Sequence, residues 1–132
     1  MSGGFEVGAS RPLRALHRMP WLPPPEGELH AHDYRVDVVV ERAALDERGM
    51  VCDLDLVEAA LAEAVRSLEG RDLDAIRPPD ADAVTVEILA RWFHGRLAAA
   101  IREAGGERLA VRVWESATAF GGYRASVATS SE

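Results

Sequence analysis

The sequence contains no lysine, and all fifteen of its basic residues are arginine. Set against twenty-two acidic residues they leave a formal net charge of -7, which speaks against nucleic-acid binding through phosphate contacts. Heavy alanine use beside the missing lysine reads as genome composition rather than function. Aromatic residues make up only 6% of the chain and are scattered, so no base-stacking platform is expected. A single cysteine, Cys52, excludes an intramolecular disulfide and suits a cytoplasmic protein. Cys52 has no histidine or basic neighbour in sequence, so a buried thiol is expected there, not a nucleophile. No apolar run approaches the ~20 residues of a membrane-spanning helix, and the N-terminus lacks the basic-then-apolar layout of a signal peptide. What is present, 48% hydrophobic and 28% charged residues over 132 positions, fits one core, with residues 1–132 as a single domain.

The most informative run is Glu28–Glu41, E-L-H-A-H-D-Y-R-V-D-V-V-V-E. Strict alternation puts His30, His32, Tyr34, Val36, Val38 and Val40 on one face, the pattern of a half-buried strand. That apolar row begins with two histidines. At a rise of ~3.3 Å per residue their side chains stand parallel, about 6–7 Å apart at Cα, within reach of one metal ion. Two half-exposed histidines at a strand end are the plainer alternative. Phe5 to His17 reads as another strand whose mostly apolar row also ends in a histidine, with Pro12 marking an edge or a bulge. The proline-rich loop Pro20–Gly27 joins the two. If they pair antiparallel, His17 meets His30 and three imidazoles converge.

Further along, a helix is expected from Asp53 or Asp55, with Asp55 and Glu58 at capping-box spacing. Its apolar stripe runs from Val57 to Leu68. Leu68 to Asp82 reads as a solvated loop rich in carboxylates. A second helix is expected from Thr85, a suitable N-cap, to about Glu103, with His94 on its surface and Gly105-Gly106 ending it. Arg108–Glu115 reads as a third strand, and Glu115 closes its apolar row. Gly121-Gly122 is expected to precede a fourth strand, Tyr123–Ala128, before a frayed tail at Thr129–Glu132. The order is ββααββ. That predicts an α+β fold, a four-stranded antiparallel sheet with two helices on one face. Its open edges favour an oligomer.

The ordered combination A-L-H-R-M-P (15–20), E-G-E-L-H-A-H-D-Y (26–34), G-M-V-C-D-L (49–54), T-V-E-I-L-A (85–90) and V-W-E-S (113–116) resembles the 6-pyruvoyl-tetrahydropterin synthase and 6-carboxy-tetrahydropterin synthase family, from about residue 5 to 128. The resemblance implies the tunnelling fold, in which trimers close their sheets into a barrel and two trimers stack as a hexamer with active sites between subunits. It implies zinc held by His17, His30 and His32, with Ala31 in place of the family's glycine. Three histidines with an open fourth position form a catalytic zinc site. It implies dihydroneopterin triphosphate or a related reduced pterin as substrate, gripped by Glu115 through two hydrogen bonds and helped by Thr85 and Glu87.

Two positions depart from the family pattern. The catalytic cysteine is replaced by Glu26, and the Leu-Asp-His run corresponds to Leu68-Glu69-Gly70, without its histidine. Glu26 and Glu69 are therefore the carboxylates expected to move protons, with Glu28 a nearby second candidate. A glutamate beside zinc can act as a general base if desolvation raises its pKa. A family branch with glutamate at the cysteine position resembles a dihydroneopterin aldolase. The main alternative is a relative that binds zinc and a pterin or purine ring without chemistry. A cupin-type metalloprotein would need more strands and no central helices.

Overall fold

The computed structural model describes residues 3–128, so the tail expected to fray lies outside them. The strands are β1 (Phe5–His17), β2 (His30–Arg42), β3 (Arg108–Trp114) and β4 (Phe120–Ser126). Two helices, α1 (Leu54–Leu68) and α2 (Val86–Glu103), lie between β2 and β3, with a short 3₁₀ turn at Leu73–Ile76. The sheet order is β1-β2-β3-β4, antiparallel throughout. The expected ββααββ fold is the one observed.

Strand parity decides which residues enter the core. Tyr34, Val36, Val38 and Val40 of β2 are buried, as are Leu13 and Ala15 of β1 and Leu109, Val111 and Val113 of β3. The α1 stripe of Val57, Leu61, Ala64, Val65 and Leu68 joins them, with Leu89, Phe93, Leu97 and Ile101 of α2. Phe93 has no exposed surface. Burying such a ring contributes about 1.5–3 kcal/mol by transfer alone.

β1 and β2 pair without interruption from Phe5 opposite Arg42 to His17 opposite His30, so Pro12 makes no bulge. The Arg14 carbonyl and Leu16 N–H point away from β2, toward Gly70 and Arg71. Pro12 shares their parity. Its missing N–H falls on the open edge and removes no ladder bond.

Four local readings change. Asp53, rather than Asp55, caps α1, its carboxylate accepting the Asp55 N–H at 2.9 Å. The loop after α1 contains the 3₁₀ turn, capped likewise by Asp72. β4 begins at Phe120 and includes both glycines. A Cβ on Gly121 would stand 2.5 Å from a Val86 methyl, so close approach of α2, and not a turn, requires glycine there. His94 is buried, not on the surface: its Nε2–H donates to the Ala125 carbonyl at 3.2 Å and its ring packs edge-on against Tyr123.

Alternation of chain direction brings the β1–β2, α1–α2 and β3–β4 connections to one end of the sheet. The histidines lie at that end. Among the described residues no helix is long and apolar enough to cross a membrane.

Candidate functional site

His17 ends β1, and His30 and His32 open β2 on the same row as the buried valines. Their ring centres are 5.6 Å apart for His17–His30 and 6.1 Å for each of the other two pairs. The His30 Nδ1–H donates to the Glu28 carbonyl at 2.8 Å, and the His32 Nε2–H donates to the Glu115 carbonyl at 3.1 Å. A carbonyl only accepts, so each bond fixes a tautomer. Nε2 of His30 and Nδ1 of His32 keep their lone pairs. Beneath them Tyr34 packs its ring 4.5 Å from His32. Burial, with a smaller contribution from the Glu115 charge, drives the Tyr34 hydroxyl far above its usual pKa, so it stays a neutral phenol.

The His17 pKa is lowered, first by burial and then by the neighbouring His30 and His32, with Asp72 opposing them. The neutral imidazole is therefore favoured at His17. An unprotonated imidazole is the form that binds zinc. The donor set therefore fits the metal in kind. As the rings stand, no three His, Cys, Asp or Glu groups among the described residues have ligating atoms gathered on one point. Binding would require ring rotation about soft terminal torsions.

The loop between the strands is built on its own backbone. The Met19 N–H donates to the Glu26 carbonyl at 2.8 Å, placing residue 26 opposite a point two residues past His17. A side chain on Gly27 would collide with the Leu22 carbonyl, so only glycine allows this loop to fold back. Glu26 and Glu28 are both exposed.

Glu69 is elsewhere. Its carboxylate faces the Arg14 N–H at 3.4 Å on the outer edge of β1, about 10 Å along the strand from His17 at ~3.3 Å per residue. The carboxylate brought to His17 is Asp72, held by a parallel bridge to Leu16. Nothing in the local pattern marks Asp72, because its position depends on a pairing between distant segments.

Glu115 follows the last residue of β3, its N–H bonded to the Ala119 carbonyl at 3.0 Å and its own carbonyl held by His32. Thr85 caps α2, its hydroxyl oxygen accepting the Ile88 N–H at 3.2 Å, while its own O–H has no acceptor among the described residues. Glu87, in the first turn, packs over Gly121. Three histidines, the Glu115 carboxylate and the α2 N-terminus thus share one end of the fold.

A family model described as 6-pyruvoyl tetrahydropterin synthase matches residues 6–126. Among solved structures, the Plasmodium falciparum 6-pyruvoyl tetrahydropterin synthase superposes with a TM-score of 0.75 at 13% identity, over 93% of this chain and 98% of that one. The Caenorhabditis elegans enzyme gives 0.68 at 17% identity, over 94% and 97%. A Plasmodium vivax 6-pyruvoyltetrahydropterin synthase, with its catalytic glutamate replaced by cysteine, gives 0.75 at 11% identity, over 95% and 99%. No curated protein matches the sequence. Since the family model spans nearly the whole chain and the fold agrees, the protein belongs to the 6-pyruvoyl tetrahydropterin synthase family.

Proposed function

We propose that this protein is a zinc-dependent lyase acting on dihydroneopterin triphosphate or a related reduced pterin. The observation that carries the reading is the gathering of His17, His30 and His32, ring centres 5.6 to 6.1 Å apart, in a chain of this family. His17, His30 and His32 would hold the zinc, which would supply Lewis-acid polarisation of a substrate oxygen.

The chain's own groups do the rest. Glu115 accepts two hydrogen bonds from the amidine-like edge of the pterin, and Thr85 and Glu87 hold the ring from α2. Glu26 is the proton carrier. It takes a proton from a side-chain hydroxyl, the adjacent carbon–carbon bond breaks, and the released fragment departs as an aldehyde. The proton returns to the pterin-side carbon, leaving a hydroxymethyl pterin. This aldolase-like outcome suits a site with Gly70 where the family has histidine and a carboxylate where it has cysteine. A catalytic glutamate in the P. vivax relative supports the assignment. Glu26 is preferred over Glu69 because Glu69 is turned to Arg14.

Zinc-loaded protein incubated with dihydroneopterin triphosphate, and separately with dihydroneopterin, should release a hydroxymethyl pterin from at least one. Glu26→Gln should lower the rate by about 10²–10⁴-fold. Consumption of neither substrate with zinc fully bound would overturn the proposal. The missing histidine also favours a second reading, a zinc- and pterin- or purine-binding relative without chemistry. That reading requires tight ring binding, abolished by Glu115→Gln, and no turnover. The edge of β4 and the part of the β1 edge before Arg14 suit closure of the sheet with neighbouring subunits into a trimer or hexamer, which a mass of three or six chains in solution would test.

A further inference from the structure

We infer that Asp72 is a positioning residue for this centre, its carboxylate orienting the His17 ring through a single water in the small cavity they share. The inference rests on the zinc reading above and concerns what holds the third ligand in place.

The three histidines are not equally supported. His30 is steered by the Glu28 carbonyl and His32 by the Glu115 carbonyl, whereas His17 has no hydrogen-bond partner among the described residues. A histidine that binds a metal almost always gives its other N–H to a carboxylate, a carbonyl or a water, which sets the tautomer and the ring angle. His17 needs such a partner, and the fold delivers one.

Backbone pairing performs the delivery. The Gly70 N–H donates to the Arg14 carbonyl and the Leu16 N–H to the Arg71 carbonyl, each at 2.8 Å. Asp72 then bridges Leu16 in parallel fashion, the residue next to His17. One Asp72 oxygen is committed to the Asp74 N–H at 2.9 Å, capping the 3₁₀ turn. That bond restrains the carboxylate while its second oxygen has no protein partner among the described residues. His17 and Asp72 line a cavity of about 30 Å³ together with Arg18, Asp74 and Asp82. That volume and polar lining suit one water molecule. Of the two other carboxylates on the lining, Asp74 is already paired with Arg77 at 2.8 Å, and Asp82 has no backbone pairing to β1 among the described residues.

Asp72→Asn separates this role from a structural one, because asparagine keeps the capping oxygen and loses the charge. Zinc affinity is measured by chelator competition on the full chain for wild type, Asp72→Asn, His17→Ala and the double variant. Asp72→Asn should weaken zinc binding by roughly 10–100-fold with the metal-free melting temperature unchanged. It should add nothing in the His17→Ala background. In metal-free protein labelled with ¹⁵N-histidine, it should also redistribute the His17 tautomers and leave those of His30 and His32 alone. Unchanged zinc affinity, an equal loss in the His17→Ala background, or an unmoved His17 spectrum would overturn the inference. If His30→Ala binds zinc as tightly as wild type, the metal reading itself fails. The ¹⁵N spectrum then still decides whether Asp72 orients His17.

Discussion

Two halves of one strand face make the instructive contrast. Val36, Val38 and Val40 of β2 are at most 1% exposed, while His30 and His32, on the same row, are only partly buried. The backbone conformation and the parity are the same in both halves. The difference lies in what covers them: helices over the valines, connecting loops over the histidines. Helix packing makes one half a dry core that tolerates only apolar side chains. Loops leave the other half open enough for a ligand and enclosed enough to shift a pKa, as at His17.

Substitutions should divide along that line. Under α2, Phe93→Ala removes a fully buried ring and should destabilise by about 3–5 kcal/mol in urea unfolding, with per-site zinc affinity unchanged in the folded fraction. A large loss of zinc affinity in that fraction would mean that the two halves are mechanically one. At the open end, His30→Ala should weaken zinc binding by more than ~100-fold, beyond the effect of losing a supporting group. Metal-free stability should move by no more than about 0.5 kcal/mol, the range of surface changes. Chelation should lower the melting temperature of zinc-loaded wild type and leave that of His30→Ala where it was.

The helix-free face of the sheet sharpens the contrast further. There Asp37 accepts from Ser10 at 2.6 Å, from Arg35 at 3.0 Å and from the Trp114 indole at 2.7 Å, and Arg35 lies over the Trp114 ring. Burial alone would raise the Asp37 pKa, but these hydrogen bonds and the Arg35 charge outweigh it and hold the carboxyl below its ordinary value. Asp37→Asn should cost about 1 kcal/mol at pH 7, a modest figure because solvent still reaches the group. A depressed native pKa stabilises the fold fully above the unfolded carboxylate range near ~3.9. The advantage of wild type should therefore be constant near neutrality and disappear as pH falls through the native value. A difference that grew in acid would refute the assignment. The smallest effect concerns Cys52, whose thiol is raised by burial and then by the Asp53 charge. Its reaction with a disulfide reagent at neutral pH should be at least roughly tenfold slower than in the urea-unfolded chain.

Much of this architecture was legible as local pattern. The β1 limits, the histidine row of β2, the Thr85 cap and the apolar stripes of both helices follow from periods of 2 and 3.6, read over a few neighbouring residues. Apart from the Asp53 cap and the 3₁₀ turn, which are local, the readings that failed had a deciding partner distant in sequence. Gly121 and Gly122 look like a turn, yet they are strand residues because α2 and β3 come close. His94 looks exposed on its helix, yet β4 covers it. Asp72 looks like one acid in a solvated loop, yet a bridge to Leu16 sets it beside His17.

Short-range periodicity was thus sufficient to name the elements, the core face and the three histidines, since those depend on backbone geometry repeated within each segment. The closeness of the imidazoles, the tautomers of His30 and His32 and the carboxylate beside His17 arose only when β1, β2, β3 and the segment after α1 were hydrogen-bonded together. Strand register and loop pairing bring together groups that no window along the chain contains, and the chemistry proposed here depends on that meeting.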